Sequence, residues 1–449
     1  SNQGAYASHG HAIAANGLTS WRLQYACPNI RGEAYTIYTN TPVGGAMRGY
    51  GIPQVCFAIE SFMDDVANEI HMDPLEFRRK NLIQGYYEDA YLKPIAANTN
   101  GIFECLEKGA EYIHWDEKRK EYAEQAGDVR KGVGMALFSY KTGVWPISLE
   151  IAGARLSLNQ DGSVQLMLGA TEIGQGADTV FSQMVAETLH TDMEHVHIKT
   201  VQDTDVSPFD TGAYASRQSF VTGTAVRHCA EILRDKILAY AKTLLPEIDT
   251  RELTLKDNWI WAGDEQAISL AALAEESYYS LTNSSVLTAE VSEQVKKNTI
   301  ATGCCFAEVE VDIKLGKIKI LHIINVHDSG KLLNPQLAEM QVHGGMSMGM
   351  GYGISEQLIL DEKTGRPLNG NLLDYKLMTM LDTPDIKADF VELCDPMGPY
   401  GNKALGEPPA IPCAPAIRTA VLHATGVAFN ENPLTPQRLI DGFKKAGLI

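Results

Sequence analysis

Gly169-Ala170-Thr171-Glu172-Ile173-Gly174-Gln175-Gly176 is the stretch on which the fold reading turns. Before it, Leu156 and Leu158 alternate with polar residues, Asn159-Gln160-Asp161-Gly162 supplies a turn, and Val164, Leu166 and Leu168 return as a second strand. After it, Val180, Phe181, Met184, Val185 and Leu189 recur at helical spacing. Gly169 and Gly174 have the spacing of a phosphate loop, but Gln175-Gly176 stands where the Lys and Ser/Thr that handle phosphates and Mg²⁺ belong. No dinucleotide fingerprint of the G-x-G-x-x-G type is present either. What remains is a plain tight turn, or bare backbone N–H groups at a helix N-terminus that can cradle an anion or a polar ring.

Working outward, Val309, Val311 and Ile313, a turn at Leu315-Gly316, then Ile318 and Ile320 predict a second hairpin. Helical spacing runs from Pro53 to Ile70 and from about Phe220 to Leu244. Asp73-Pro74 caps a short helix to Arg79, and Thr435-Pro436 caps a last one ending at Gly447. Residues 334–351, opened by Asn334-Pro335, are crowded with Gly and Met and predict a closely packed helix. Residues 85–130 are polar and mixed, with a domain boundary near Gly127-Asp128. Hairpins and helices in mixed order predict an α+β fold rather than a doubly wound sheet.

Composition narrows the partners. Across 449 residues, 38 Lys and Arg face 56 Asp and Glu, a net charge of −18 that repels nucleic acid and anionic membrane surfaces. No apolar run approaches a bilayer span and no basic-then-apolar signal segment opens the chain, which predicts a cytoplasmic protein. The first residue is not Met, and Gln3 to Gly10 read as the end of an element begun upstream, as in a fragment of a longer chain. None of the eight cysteines forms a C-x-x-C pair, so buried free thiols are expected instead of a zinc or iron–sulfur site. His195 and His197, two apart, would share one face of a strand but have no third ligand nearby.

Three further stretches can carry chemistry. Ala213-Tyr214-Ala215-Ser216-Arg217-Gln218-Ser219 offers hydroxyls and amides that either cap a helix or meet a ligand. Ala46-Met47-Arg48-Gly49-Tyr50-Gly51 places one guanidinium among small residues, suited to an oxyanion or to a structural ion pair. In Lys403-Ala404-Leu405-Gly406-Glu407-Pro408-Pro409, Pro408 biases Glu407 away from helical backbone and Pro409 stiffens the next step. A carboxylate on a stiff, apolar loop suits a general base, because desolvation moves such a group toward neutrality.

Together these segments resemble the molybdenum-cofactor subunit of the xanthine dehydrogenase family, which includes aldehyde oxidases and nicotinate dehydrogenases. The resemblance covers the chain and is carried by Arg48-Gly49-Tyr50-Gly51 with Pro53-Gln54, Gly169 to Gly176, Ala215-Ser216, Gln341 and Gly406-Glu407-Pro408-Pro409. It implies the family's molybdopterin-binding domains: residues 1–127 as the C-terminal part of the first and 128–449 as the second. It implies a molybdenum ion held by a pterin dithiolene, with no protein side chain as metal ligand. Glu407 then takes the proton from the metal-bound hydroxyl as its oxygen attacks a ring carbon and hydride passes to sulfide. Arg48, Gly174, Gln175, Ala215, Ser216, Gln218 and Gln341 match cofactor-lining positions, and Tyr50 matches a substrate-sandwiching aromatic. Its partner falls at Val144 or Trp145, of which Trp145 is the better wall.

The family's copper-holding cysteine has no counterpart in residues 45–52, which argues against carbon monoxide oxidation. One of its cofactor loops and a substrate-binding Arg and Glu lie upstream of residue 1, so a missing N-terminal half of the subunit is implied. Iron–sulfur and FAD centres are expected on partner subunits. The pterin carries either a plain phosphate or the cytosine dinucleotide common in bacterial relatives. Xanthine or hypoxanthine is the expected purine substrate, a nicotinate- or aldehyde-type hydroxylase the alternative. From another class, a cofactor-free fragment that only binds partner subunits is also open.

Overall fold

The computed structural model describes residues 1–20, 23–84, 87–88, 94–95, 99–199 and 201–449, with 87–88 and 94–95 described by backbone alone. Helices and mixed sheets follow one another in the α+β manner expected. They group into two compact units, residues 1–141, 299–395 and 403–449 in the first, 142–298 and 396–402 in the second. This grouping does not cut at 127/128, because the strand Val129–Lys141 pairs along its length with Ile300–Asp312 inside the first unit.

The first unit is built on a four-stranded sheet in the order Asp385–Phe390, Lys317–Asp328, Ile300–Asp312, Val129–Lys141. The last three are antiparallel neighbours, and Asp385–Phe390 joins in parallel. Side chains alternate between faces along each strand. Met135, Leu137, Cys304, Phe306, Ile324 and Val326 share a core with the helices Pro74–Asn81 and Ile102–Ile113. Ala136, Cys305, Ala307 and Ile323 share the opposite core with the helices Pro335–Ile354 and Cys413–Thr425. Each large apolar side chain so buried contributes about 1.5–3 kcal/mol.

Two glycines let the helix Cys413–Thr425 settle onto the strand Val129–Lys141. A Cβ on Gly132 would meet the Ala420 carbonyl oxygen at 2.2 Å, and one on Gly134 the Ala420 nitrogen at 2.1 Å. Thr419 fastens the contact by accepting from the Met135 N–H and donating to the Met135 carbonyl.

The second unit carries a sheet in the order Thr288–Gln294, Ile151–Leu158, Val164–Leu168, Val196–Ile198, with the helix Gln218–Leu244 packed on it. The hairpin across residues 159–163 and the helix Ala177–Leu189 after the glycine-rich loop lie where the periodicity puts them.

Caps match the sequence reading. Asp73 accepts from the N–H groups of Leu75 and Glu76, Asn334 from Leu337, and Thr435 from Arg438. The last helix stops at Lys445, and Gly447 follows with φ +72°. Other expectations change. Cys27 and Cys394 are exposed, the other six cysteines are buried, and all eight are free thiols. His195 closes a one-turn 3₁₀ helix, Met193–His195, through a bond from its N–H to the Asp192 carbonyl. Only His197 lies on the strand, so the two histidines share no strand face. The polar stretch from 85 onward opens on residues largely outside those described, and its remainder forms the helices Ile102–Ile113 and Trp115–Glu121. Three short strands over residues 253–269 had no clear signal. Among the described residues, no helix is long and apolar enough to cross a membrane.

Candidate functional site

In the first unit, Glu407 precedes a 3₁₀ turn, Pro408–Ala410, that leads into the helix Cys413–Thr425. Pro408 was expected to push Glu407 out of helical backbone, yet its φ of −97° and ψ of −36° are helical. Tertiary bonds outweigh the local steric bias. The Glu407 carbonyl accepts from the Ala410 N–H, and its carboxylate is held from outside the turn. Tyr140, at the end of the strand Val129–Lys141, donates its hydroxyl to Glu407 Oε2 at 2.5 Å, and the Gly49 N–H donates to the same oxygen at 3.2 Å. Beneath the turn, buried Asn325 donates to the Pro409 carbonyl at 2.9 Å.

The loop that supplies Gly49 is wound left-handed, with φ of +95°, +51° and +86° at Gly49, Tyr50 and Gly51. Such backbone at a residue other than glycine costs on the order of 1 kcal/mol and persists where surroundings enforce it. Asn16 does so here by donating to the Tyr50 carbonyl, while the Tyr50 hydroxyl meets His9 Nδ1 at 3.2 Å. Arg48 fastens this loop to the base turn: Nε donates to the Gly406 carbonyl, and Nη2 to both the carbonyl and Oε1 of Gln341. Arg48, Gln341, Tyr50 and Glu407, read from separate motifs, are thus brought into one network. Arg48 Nη1 has no hydrogen-bond partner among the described residues, and Arg48 lines a cavity of about 160 Å³ together with Met47, Pro53, Met348 and Tyr352. Burial draws the guanidinium down from its usual value, against the pull of the Glu407 charge.

Of the two readings open for the glycine-rich loop, the second unit shows a tight turn and not a bare anion cradle. Glu172 folds its own carboxylate back over it, accepting from the N–H groups of Gly174, Gly176 and Asp178. Burial pushes that carboxyl up, but these donors prevail and hold it below the usual range. Gly174 itself has φ +95° and open space where a Cβ would stand. Gln175 donates to Gln218 Oε1, and both amides donate to the Thr171 carbonyl, which joins two sequence-predicted residues. Ala215 and Ser216 are consecutive left-handed residues, φ +50° and +49°, a second strained segment at positions singled out from sequence.

A buried ion network missed in the sequence explains how that segment is held. Arg217 donates to Glu150 Oε2 at 2.5 Å and to Asp210 Oδ1 at 2.6 Å, and to the carbonyls of Gly212 and Ile151. Glu150 Oε1 accepts from the Val144 N–H, and the Gly143 N–H donates to the Ala215 carbonyl. The Val144–Trp145 loop and the Ala215–Ser216 loop are therefore tied through one guanidinium. Trp145 is half-buried, its carbonyl accepting from Asn298. Tyr140 and Asn325 were also missed. A polar residue inside an apolar strand pattern was the available signal.

Two family models described as molybdopterin cofactor-binding domain match this chain, over residues 108–384 and 1–82. The chain is 48% identical, over its whole length, to the putative xanthine dehydrogenase molybdenum-binding subunit of Escherichia coli and covers 60% of that protein. It is 31% identical over 99% of its length to a probable hypoxanthine oxidase of the same organism, covering 46% of it. Quinoline 2-oxidoreductase from Pseudomonas putida shares the fold, with a TM-score of 0.88 over 96% of this chain and 57% of that one at 23% identity. The chain thus spans less than two thirds of the length of these relatives.

Proposed function

We propose, since this chain belongs to the molybdopterin cofactor-binding domain family, that it acts within the molybdenum-binding subunit of a hydroxylase converting xanthine or hypoxanthine to urate. The anchored carboxylate of Glu407 carries this reading: a base fixed through one oxygen by Tyr140 and Gly49, on a turn braced from below. The 48% identity to a xanthine dehydrogenase subunit supports the purine.

The donor set suits a molybdenum pterin. Among the described residues, no group of three or more His, Cys, Asp or Glu could hold a metal ion. Arg48 Nη1 remains available as a cationic donor, and the Thr211 hydroxyl beside the Ala215–Ser216 segment is buried without a partner. Arg48, Gln341, Gly174, Gln175, Ala215, Ser216 and Gln218 are the residues proposed to hold the pterin. When bound, that cofactor supplies a water-derived oxygen and accepts two electrons from the substrate. Glu407 accepts a proton at its carboxylate as the new C–O bond forms. Tyr50 and Trp145 are the aromatic side chains proposed to stack on the substrate heterocycle. The cytosine dinucleotide form of the pterin, iron–sulfur and FAD partner subunits, an upstream half of the same subunit and a cytoplasmic setting belong to this proposal, as does a division of the sequence into family domains at 127/128.

The test is xanthine-dependent dye reduction by the complete molybdenum subunit assembled with its partners. Turnover abolished by Glu407→Gln, with molybdenum content retained, supports the reading; retained turnover sinks it. Wild-type turnover with nicotinate or an aldehyde but not with xanthine moves the substrate, and absence of bound pterin fluorescence leaves only a scaffold.

A further inference from the structure

Tyr140 is nine-tenths and more buried, at 1% exposed, in a small core with Ile52, Cys56, Phe138, Ala301, Ala404 and Ile411. A phenol hydroxyl sunk among apolar side chains costs a few kcal/mol unless it is bonded, and a phenylalanine would fill the same space at no such cost. The hydroxyl is spent on Glu407 Oε2, where the Gly49 N–H also arrives. The ring is fixed by packing on the strand Val129–Lys141, paired along its length with Ile300–Asp312, so it offers a rigid reference point that the loop bearing Gly49 lacks. We infer that Tyr140 is a positioning residue for the base: its hydroxyl clamps one carboxylate oxygen of Glu407 to the sheet and thereby sets the angle at which the carboxylate meets the proton it takes.

This rests on the reading of Glu407 as the base and adds a residue that the reading does not need. A hydrogen bond to a carboxylate is charge-assisted and directional, so its loss frees a rotation of the side chain even where the backbone stays put. Displacement of a reacting group by about 1 Å costs up to about 100-fold in rate.

Tyr140→Phe in the assembled holoenzyme is therefore expected to lower kcat about 10- to 100-fold, with KM and molybdenum content within about twofold of wild type. Cys56→Ala, a packing control in the same core, is expected to lower the melting temperature with kcat unchanged. A readout independent of turnover is the infrared carboxylate stretch of Glu407, isolated as the difference between wild type and Glu407→Gln. That band should shift in Tyr140→Phe and stay in Cys56→Ala. If Glu407→Gln abolishes turnover while Tyr140→Phe leaves both kcat and the band unchanged, the positioning role is wrong and the base stands. If Glu407→Gln itself turns over, the base reading fails first. A Tyr140→Phe enzyme that loses KM, kcat and molybdenum together also overturns the inference, in favour of a purely structural tyrosine.

Discussion

Glu407 and Glu150 are both carboxylates gripped through short hydrogen bonds, but their partners differ in kind. Glu150 faces the Arg217 guanidinium at 2.5 Å and is 1% exposed, and Arg217 reaches on to Asp210. Glu407 Oε2 accepts from a phenol and a backbone N–H, both neutral, while the Arg48 guanidinium lies near enough to feel its charge. A carboxylate locked to a buried guanidinium gives up a strong charge-assisted bond when it takes up a proton, which makes it a brace. One held by neutral donors can take up and release a proton while its scaffold stays satisfied.

The largest separation between them should come from isosteric amides. Glu407→Gln is expected to cut xanthine turnover about 10³- to 10⁴-fold with the melting temperature little changed. Glu150→Gln should instead destabilise the second unit by about 1.5–3 kcal/mol, because it takes the charge-assisted bond from Arg217 and leaves the guanidinium paired with Asp210 alone. Denaturant unfolding followed alongside turnover checks both; an E150Q protein as stable as wild type would dissolve the contrast. A smaller effect concerns the turn. Asn325→Ala removes the bond to the Pro409 carbonyl and should cost about 1–3 kcal/mol while also lowering kcat. Unaltered kcat in a folded Asn325→Ala enzyme would show that the turn holds Glu407 without it.

Acid distinguishes the units in a further, graded way. Burial in the first unit lowers His423 to about 4, and burial with the nearby Arg48 charge lowers His327 to about 3. Below about pH 6.5 the unfolded chain protonates both while the folded chain keeps them neutral. The unfolded state then binds more protons, so this stability is complete above about pH 6.5 and is lost as pH falls toward 4 and 3. The loss is up to about 1.4 kcal/mol per pH unit for each imidazole. Urea midpoints at pH 7 and pH 5 measure it, and a flat profile would contradict the burial of these rings.

Local signals were legible in the sequence. The Asp73-Pro74 cap, the apolar face of Gln218–Leu244 and the hairpin across residues 159–163 depend on neighbours in the chain, and each formed where periodicity placed it. The motif residues Arg48, Gln341 and Glu407 were legible as positions but not as a network, since their bonds join loops far apart in sequence. The pairing of Glu150 with Arg217 was invisible for the same reason. Glu172 shows a different failure: the glycines were seen, but not that a carboxylate in the same loop would occupy their N–H groups. The short strands at 253–269 escaped because pieces of four or five residues with exposed polar positions carry little periodicity.

The glycines at 132 and 134 have a reach beyond the contact they permit. The helix resting on them starts almost directly from the turn that bears Glu407, and the strand that contains them ends in Tyr140 and Lys141. Strand and helix therefore form the two arms of a caliper, closed on bare backbone at one end and on a phenol–carboxylate bond at the other. A single methyl inserted between the arms at Gly134 would press on Ala420 and load the jaws at Glu407 from the far end.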